Sequence, residues 1–365
     1  MEERITAIAG QFQIPAGDMD AQTYGNGHIN DTLCVSVRTP EGERRFILQR
    51  VNGYVFPRPT QVIENIERVT AYLRGIIRQE GGDPARETLT LVPARDGRNY
   101  VIADDGELWR MYLFVEGTRT VDLPDTPSLF ELSGRAFGRF QRQMDAFPAQ
   151  QLHETIVDFH NTPARYRQLM DAVRRNEAGR LGEVGPELAF CMGYGQEVHA
   201  LVDALAAGEI PLRVTHNDTK LNNVLLDTKT GEGVCIVDLD TVMPGLAAYD
   251  FGDAIRTGAN TAQEDERDLS RVQLSLEMFE AFARGYLAEA GATLNAREKA
   301  LLPMGAKLMT LECGMRFLAD HLNGDKYFRI HHPGHNLDRA RTQFALVRRM
   351  EECWDRMTQI IADIG

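Results

Sequence analysis

In the stretch from about residue 30 to 115, four short apolar-rich runs read as strands. Thr32–Val37 alternates apolar and polar positions and is rich in β-branched residues, and Arg45–Val51 follows it after the turn Pro40-Glu41-Gly42. Asn99–Ala103 and Glu107–Val115 flank Asp104-Asp105-Gly106, a strong hairpin signal. Between the two pairs the period changes. Val62, Ile63, Ile66, Val69, Tyr72, Leu73, Ile76 and Ile77 recur at three- and four-residue steps, which predicts a helix over 62–77. Gly81-Gly82-Asp83-Pro84 stops it. The order is hairpin, helix, hairpin: a small antiparallel sheet with one helix packed on it.

After Gly117 helical periodicity dominates. Leu132, Ala136, Phe137, Phe140 and Met144 share one face over 131–145, and Leu269, Val272, Leu276, Phe279, Phe282 and Tyr286 do so over 269–286. Residues 337–363 read as a closing helix. Short β-like runs at Asn223–Leu226 and Val234–Val237 interrupt the pattern. The expected fold class is α+β, with a β-rich unit over 1–117 and a larger, mainly helical unit over 118–365.

Composition narrows the partners. The chain has 365 residues, so core burial needs no disulfide or structural metal. A net charge of −13 argues against nucleic acid or an anionic membrane surface, both of which need a basic face. The cysteines, Cys34, Cys191, Cys235, Cys313 and Cys353, are odd in number and widely spaced, so they read as reduced thiols suited to a cytoplasm. The opening MEERITAIAGQFQIP carries acids at once and does not read as a signal peptide. No run approaches the roughly 18 apolar residues of a membrane span.

The chemistry is concentrated in Val214-Thr215-His216-Asn217-Asp218-Thr219-Lys220-Leu221-Asn222-Asn223 and in Val234-Cys235-Ile236-Val237-Asp238-Leu239-Asp240. Phosphoryl transfer to a hydroxyl needs a carboxylate to take the proton, and hard oxygen ligands for Mg²⁺. Asp218 fits the base. Asn223, at the start of one short strand, fits an amide-oxygen ligand, and Asp238, at the end of the next, fits the metal carboxylate. A hairpin of these strands would bring the two to one end. His216 reads as a scaffold whose ring bonds neighbouring backbone, and Asp250, in Tyr249-Asp250-Phe251-Gly252-Asp253, as a carboxylate holding loop backbone. Asp240 is open between a metal contact, a substrate contact and a solvated acid. Tyr24-Gly25-Asn26-Gly27-His28-Ile29-Asn30, before the first strand, could bring backbone N–H groups of Gly25 and Gly27 close to phosphates. His331-His332-Pro333-Gly334-His335 has the wrong spacing for a helical metal pair and reads as a surface or cleft-lining loop.

Together these segments resemble the aminoglycoside phosphotransferase/choline kinase superfamily, and within it the N-acetylhexosamine 1-kinases. YGNGHIN, PLRVTHNDTKLNNVLLD, VDLDTVMPG, FGDAIRTGA, ECGMRFLAD and HNLDRARTQ carry the resemblance, from residue 24 to about 343. It implies a protein-kinase-like two-lobe fold with the nucleotide between the lobes. It also implies Mg²⁺- and ATP-dependent phosphorylation of the anomeric hydroxyl of N-acetylglucosamine or N-acetylgalactosamine, in a monomer or weak oligomer. Asp218 would be the base, Asn223 and Asp238 the metal ligands, and His28, Asp218, Asp238, Arg316 and Tyr327 the sugar contacts. Read on their own, Arg316 is either paired to an acid or pointing into the cleft, and Tyr327 either stacks on a sugar face or packs in the core.

One departure concerns the nucleotide. Kinase folds place a lysine in the third strand. Here that strand reads Phe46-Ile47-Leu48-Gln49-Arg50, so Gln49 or Arg50 must stand in, with Glu67 as the candidate partner on the following helix. Two other functions remain open on sequence: a kinase for another hydroxylated metabolite (homoserine, choline, an aminoglycoside) and a catalytically silent binding module.

Overall fold

A computed structural model describes residues 2–25 and 29–365. The chain forms two compact units: residues 1–119, 150–157 and 225–243 make the first, and the remainder makes the second. The first exchange, at residue 119, lies two residues past Gly117, and the two later segments return the chain to the first unit.

The first unit opens with α1 (Glu2–Ala9) and strands β1 (Asp18–Thr23), β2 (Asp31–Thr39) and β3 (Gly42–Arg50). Helices α2 (Pro59–Gln79) and α3 (Pro84–Glu87) follow, then β4 (Val101–Ile102), β5 (Leu108–Leu113) and β6 (Thr118–Arg119). The main sheet has the order β1-β2-β3-β5-β4, antiparallel between every neighbour. Ile5, Ile8 and Phe12 cluster with Val35, Val37, Phe46, Leu48, Trp109 and Met111, so α1 closes one apolar face.

Both predicted hairpins and the helix between them are present. The first strand is new. Its sequence, Asp-Met-Asp-Ala-Gln-Thr, lacks an apolar face because β1 is an edge strand, where charge is tolerated and blocks further pairing. The segment 24–30 therefore links β1 to β2 rather than preceding the first strand. Strand β5 carries no alternation, since Leu108–Tyr112 are buried on both faces.

The second unit takes α4 (Pro127–Gln143), α5 (Thr162–Arg175), α6 (Gly185–Gly193), α7 (Ala200–Ala206) and β7 (Arg213–Thr215). The chain then forms β8 (Val224–Asp227) and β9 (Gly233–Ile236), which join β6 in a three-stranded sheet. Strand β10 (Met243–Gly245) pairs with β7, and α8 (Ala247–Gly258), α9 (Leu276–Ala290), α10 (Ala296–Leu322), α11 (His335–Glu352) and α12 (Trp354–Ile364) complete the unit.

Two helices start or stop where the apolar pattern alone did not place them. The pattern over 269–286 becomes a short turn at Leu269–Arg271 followed by α9, because the Ser275 hydroxyl accepts the Met278 N–H and caps the helix there. The closing helix breaks at Cys353. Buried Met350 and Met357 sit seven residues apart, so the periodicity runs through the break in phase.

Helix α10 has no apolar stripe because it is buried nearly all round. Its buried residues include Glu298, Lys307, Glu312 and Asp320 alongside the apolar ones. Each charge has a partner: Glu298 binds Arg213, Lys307 pairs with Glu197 and Glu351, Glu312 binds His160, and Asp320 accepts loop N–H groups. The five cysteines are free thiols, and burial pushes those of Cys191 and Cys235 up to about 12.

Two helix crossings in this unit depend on glycine. A Cβ on Gly305 of α10 would lie 2.2 Å from the Ala248 carbonyl oxygen of α8, and one on Gly252 of α8 would lie 2.3 Å from the Gly305 oxygen. A Cβ on Gly134 of α4 would lie 2.4 Å from the Phe282 carbonyl oxygen of α9, and one on Gly285 of α9 would lie 2.1 Å from the Glu131 oxygen of α4. Gly305→Ala must therefore separate α8 from α10. It should destabilise the protein by about 1–3 kcal/mol or more and lower the melting temperature by several degrees in a thermal scan. Gly75→Ala, in α2, meets nothing within 4 Å and should be neutral or stabilising by about 1 kcal/mol.

Candidate active site

The segment 216–223 leaves β7 and runs to the start of β8. Its base is anchored by Arg213, whose guanidinium grips Glu298 with two hydrogen bonds, at 2.5 and 2.9 Å, and reaches the Thr293 carbonyl at 2.9 Å. Glu298 also completes a capping box with Asn295 at the start of α10. One buried ion pair thus joins the strand before the loop to the N-terminus of the central helix.

The loop is held from α8. The Asp250 carboxylate accepts the N–H groups of His216, at 2.9 Å, and Asn217, at 2.7 Å. One turn on, Asp253 accepts the Thr219 N–H at 3.0 Å, while the Thr219 hydroxyl donates to the Asp250 carbonyl at 2.6 Å. A spacing of three puts both carboxylates on one face of the helix. Burial raises the Asp250 carboxyl, and the nearby His216 only partly offsets it. For Asp253 burial acts the same way, but Arg256 and Lys220 outweigh it and hold the acid below its ordinary range.

His216 is fully buried, edge-on to Phe137 and Phe140. Its Nδ1 accepts the Asp218 N–H at 3.3 Å. Asn217 has φ 65°, a left-handed backbone that Asn adopts more readily than most residues. Beyond it, the Asp218 carboxylate lies between two donors: Lys220 Nζ is 2.7 Å from Oδ1, and Asn223 Nδ2 donates to Oδ2 at 3.1 Å and to the Asp218 carbonyl at 2.8 Å. The carboxylate holds the Lys220 ammonium above its usual value. With its nitrogen committed to Asp218, Asn223 has its amide oxygen left for a ligand, a hard donor of the kind Mg²⁺ takes.

In the first unit, β8 and β9 are joined by the turn 228–232, where the Asp227 carboxylate accepts two N–H groups and pairs with Arg86. Asp238 follows β9 at the opposite end and, like Asn217, has a positive φ, 59°. Its carboxylate is the second hard donor suited to Mg²⁺. The segment after it is fixed from two directions. Asn65 of α2 donates to the Val242 carbonyl at 3.0 Å, and Asp240 forms a buried pair with Arg110, 2.5 Å away. Asp240 also accepts from Asn30 at 2.7 Å. It is thus neither solvated nor without partners.

Gln49 and Arg50 leave β3 on opposite faces. The Gln49 oxygen accepts from Arg110 at 2.8 and 3.0 Å and its nitrogen donates to Thr32. Arg50 pairs with Asp31 and Glu107. Glu67 accepts from Asn99, not from either. Gly25 has φ 75°, open to glycine at no steric cost; Gly27 and His28 lie outside the described residues.

Arg316, on α10, lies 5.2, 5.9 and 5.5 Å from the ring centres of Phe159, Tyr327 and Phe328. Tyr327 is 45% exposed and so is not a core residue. The buried Asp320 carboxylate positions it by accepting the N–H groups of Lys326, Tyr327 and Phe328 at 2.9–3.0 Å. The histidines at 331–335 are engaged separately: His332 with Asp338, His335 with Asp265, and the His331 N–H with His335 Nδ1.

Several of these residues escaped the sequence reading. Asp253 was legible in its spacing from Asp250. Lys220 stood inside the motif without a role. Arg110, Asp320, His160 and Glu312 are distant in sequence from what they hold, and carried no local signal.

Residues 20–299 match the family model described as the phosphotransferase enzyme family. Among solved structures, the chain is similar to the microcompartment-associated aminopropanol kinase, at 18% identity and TM-score 0.57, covering 97% of this chain and 98% of that one. It is also similar to an aminoglycoside phosphotransferase from Alicyclobacillus acidocaldarius (15%, 0.56, 98% and 96%) and to choline kinase from Cryptosporidium parvum (13%, 0.55, 98% and 98%). The fold is accordingly protein-kinase-like, as the resemblance implied. With the family match spanning most of its length, the chain belongs to the phosphotransferase enzyme family.

Proposed function

We propose that the chain transfers the γ-phosphoryl group of ATP to the anomeric hydroxyl of an N-acetylhexosamine, N-acetylglucosamine or N-acetylgalactosamine, releasing ADP and the sugar 1-phosphate. The observation that carries the reading is the Asp218 carboxylate, held between Lys220 and Asn223 on a loop whose backbone is tied to α8. A carboxylate held in this position is competent to take the hydroxyl proton as the oxygen attacks phosphorus. Lys220, beside it, adds positive charge where the transferred group gathers negative charge.

Asn223 and Asp238 are the proposed Mg²⁺ ligands; a bound Mg²⁺ neutralises charge on the phosphate oxygens. Gly25 and Gly27 would offer backbone N–H groups to the nucleotide, with Gln49 or Arg50 contributing from β3. His28, Asp218, Asp238, Arg316 and Tyr327 would hold the sugar. Residency in the cytoplasm and a monomeric or weakly associated state belong to the same proposal.

The setting of Arg316 supports a neutral acceptor. Among the described residues no acid pairs with this guanidinium, and Arg165, also stacked near Phe159, adds a second cation. An ammonium-bearing acceptor such as choline or an aminoglycoside would meet repulsion there, whereas sugar hydroxyls and an acetamido oxygen accept from a guanidinium.

Product identity tests the reading directly. ADP release should be seen with N-acetylhexosamines and not with choline, homoserine or aminoglycosides, and phosphorus NMR should place the phosphate on the anomeric oxygen. Turnover confined to an amino alcohol or aminoglycoside would sink it. Asp218→Asn should cost about 10²–10⁴-fold in kcat with ATP binding nearly unchanged; retained turnover would remove Asp218 as the base. Arg316→Ala should lower kcat/KM for the sugar by roughly 10- to 100-fold, the loss of one charged hydrogen bond, while KM for ATP stays within about twofold. An equal loss for both substrates would place Arg316 in the scaffold instead.

A further inference from the structure

The peptide bond joining Asn217 to Asp218 has both of its polar atoms held by imidazoles. Its N–H donates to His216 Nδ1 at 3.3 Å, and its carbonyl oxygen faces His160 Nε2 at 3.3 Å. The second contact comes from outside the motif. His160 lies just before α5, and its other ring nitrogen, Nδ1, is 2.9 Å from the Glu312 carboxylate of α10. Glu312 is 1% exposed and also accepts from the Thr162 hydroxyl at 3.0 Å. The ring packs between Phe159 and Tyr249, at 4.4 and 5.4 Å.

A carbonyl oxygen can only accept, so Nε2 carries a proton in this contact. A second proton, shared between Nδ1 and the Glu312 side chain, makes the bond that fixes the ring's orientation. Asn217 needs this hold more than most residues. Its left-handed backbone is uphill, by about 1–2 kcal/mol, and a flip of the following peptide plane would turn the Asp218 side chain away from Lys220 and Asn223.

We propose that His160, oriented by Glu312, is a positioning residue for Asp218, clamping the Asn217 carbonyl so that the base keeps its aim. The inference rests on the reading of Asp218 as the base. Arg316 lies one turn beyond Glu312 on α10, so the helix that carries the clamp also carries the proposed sugar cation.

The test compares two amides in the full chain. His160→Gln keeps an N–H near the position of Nε2, while His160→Asn keeps one only near Nδ1. His160→Asn and His160→Ala should lower kcat by about 100-fold, the scale of a small misplacement of a reacting group, with KM for ATP within about twofold. His160→Gln should recover at least tenfold of that loss. Glu312→Ala should reproduce the loss, and Glu312→Gln should soften it. Melting temperatures are measured alongside, on N-acetylgalactosamine with ATP or on whichever panel acceptor is turned over. Full kcat in His160→Asn, or losses that follow melting temperature with no advantage for Gln over Asn, would overturn the clamp. Asp218→Asn run in parallel separates the two readings: an inactive Asp218→Asn beside a fully active His160→Asn removes the clamp alone, whereas an active Asp218→Asn removes the base.

Discussion

A single carboxylate, Asp250, underlies the order of the loop at 216–223. It accepts two consecutive backbone N–H groups, at 2.9 and 2.7 Å, in a place where neither could reach water. Backbone donors buried without an acceptor cost about 1–3 kcal/mol each, so the loop can leave β7 in this conformation only while Asp250 stays ionised and in place. Its place is set by α8, and the place of α8 by the Gly252–Gly305 crossing with α10. A glycine contact and an acid thus act in series on the aim of Asp218.

Charge is buried in this protein wherever position matters. Arg213 with Glu298, Arg110 with Asp240, Arg256 with Asp253 and His160 with Glu312 all lie in the interior. Such pairs offset desolvation more than they add stability. What they contribute here is geometry. Arg213 fixes the strand before the loop, Asp253 the middle of the loop, and Asp240 ties the segment after Asp238 to Arg110 and Asn30. Arg110 takes up the Gln49 oxygen as well, so one of the two residues that could stand in for the strand lysine of kinase folds is bound within its own sheet.

Backbone strain falls at the same positions. Asn217 and Asp238 both adopt the left-handed region, one just before the proposed base and the other at a proposed metal carboxylate. Strain of this kind persists where surroundings over-determine it, and it gathers at functional sites. For Asn217 the surroundings are visible: Asp250 on its N–H and His160 on its carbonyl.

The amino-acid sequence alone determined the elements whose signals are local. Alternation gave β2, the turns Pro40-Glu41-Gly42 and Asp104-Asp105-Gly106 gave β3 and the β4–β5 hairpin, a 3.6-residue period gave α2, and the clustered run from His216 to Asn223 drew attention to the loop and its residue types. Signals that depend on a partner were silent. β1 is polar because it is an edge, β5 does not alternate because both its faces are covered, and α10 has no apolar stripe because it is buried all round. Only the tertiary structure decided that Asp240 answers Arg110, that Asp320 shapes the turn bearing Tyr327, and that His160 reaches a carbonyl 57 residues along the chain. A buried charge is specified by what faces it, and what faces it comes from another part of the chain.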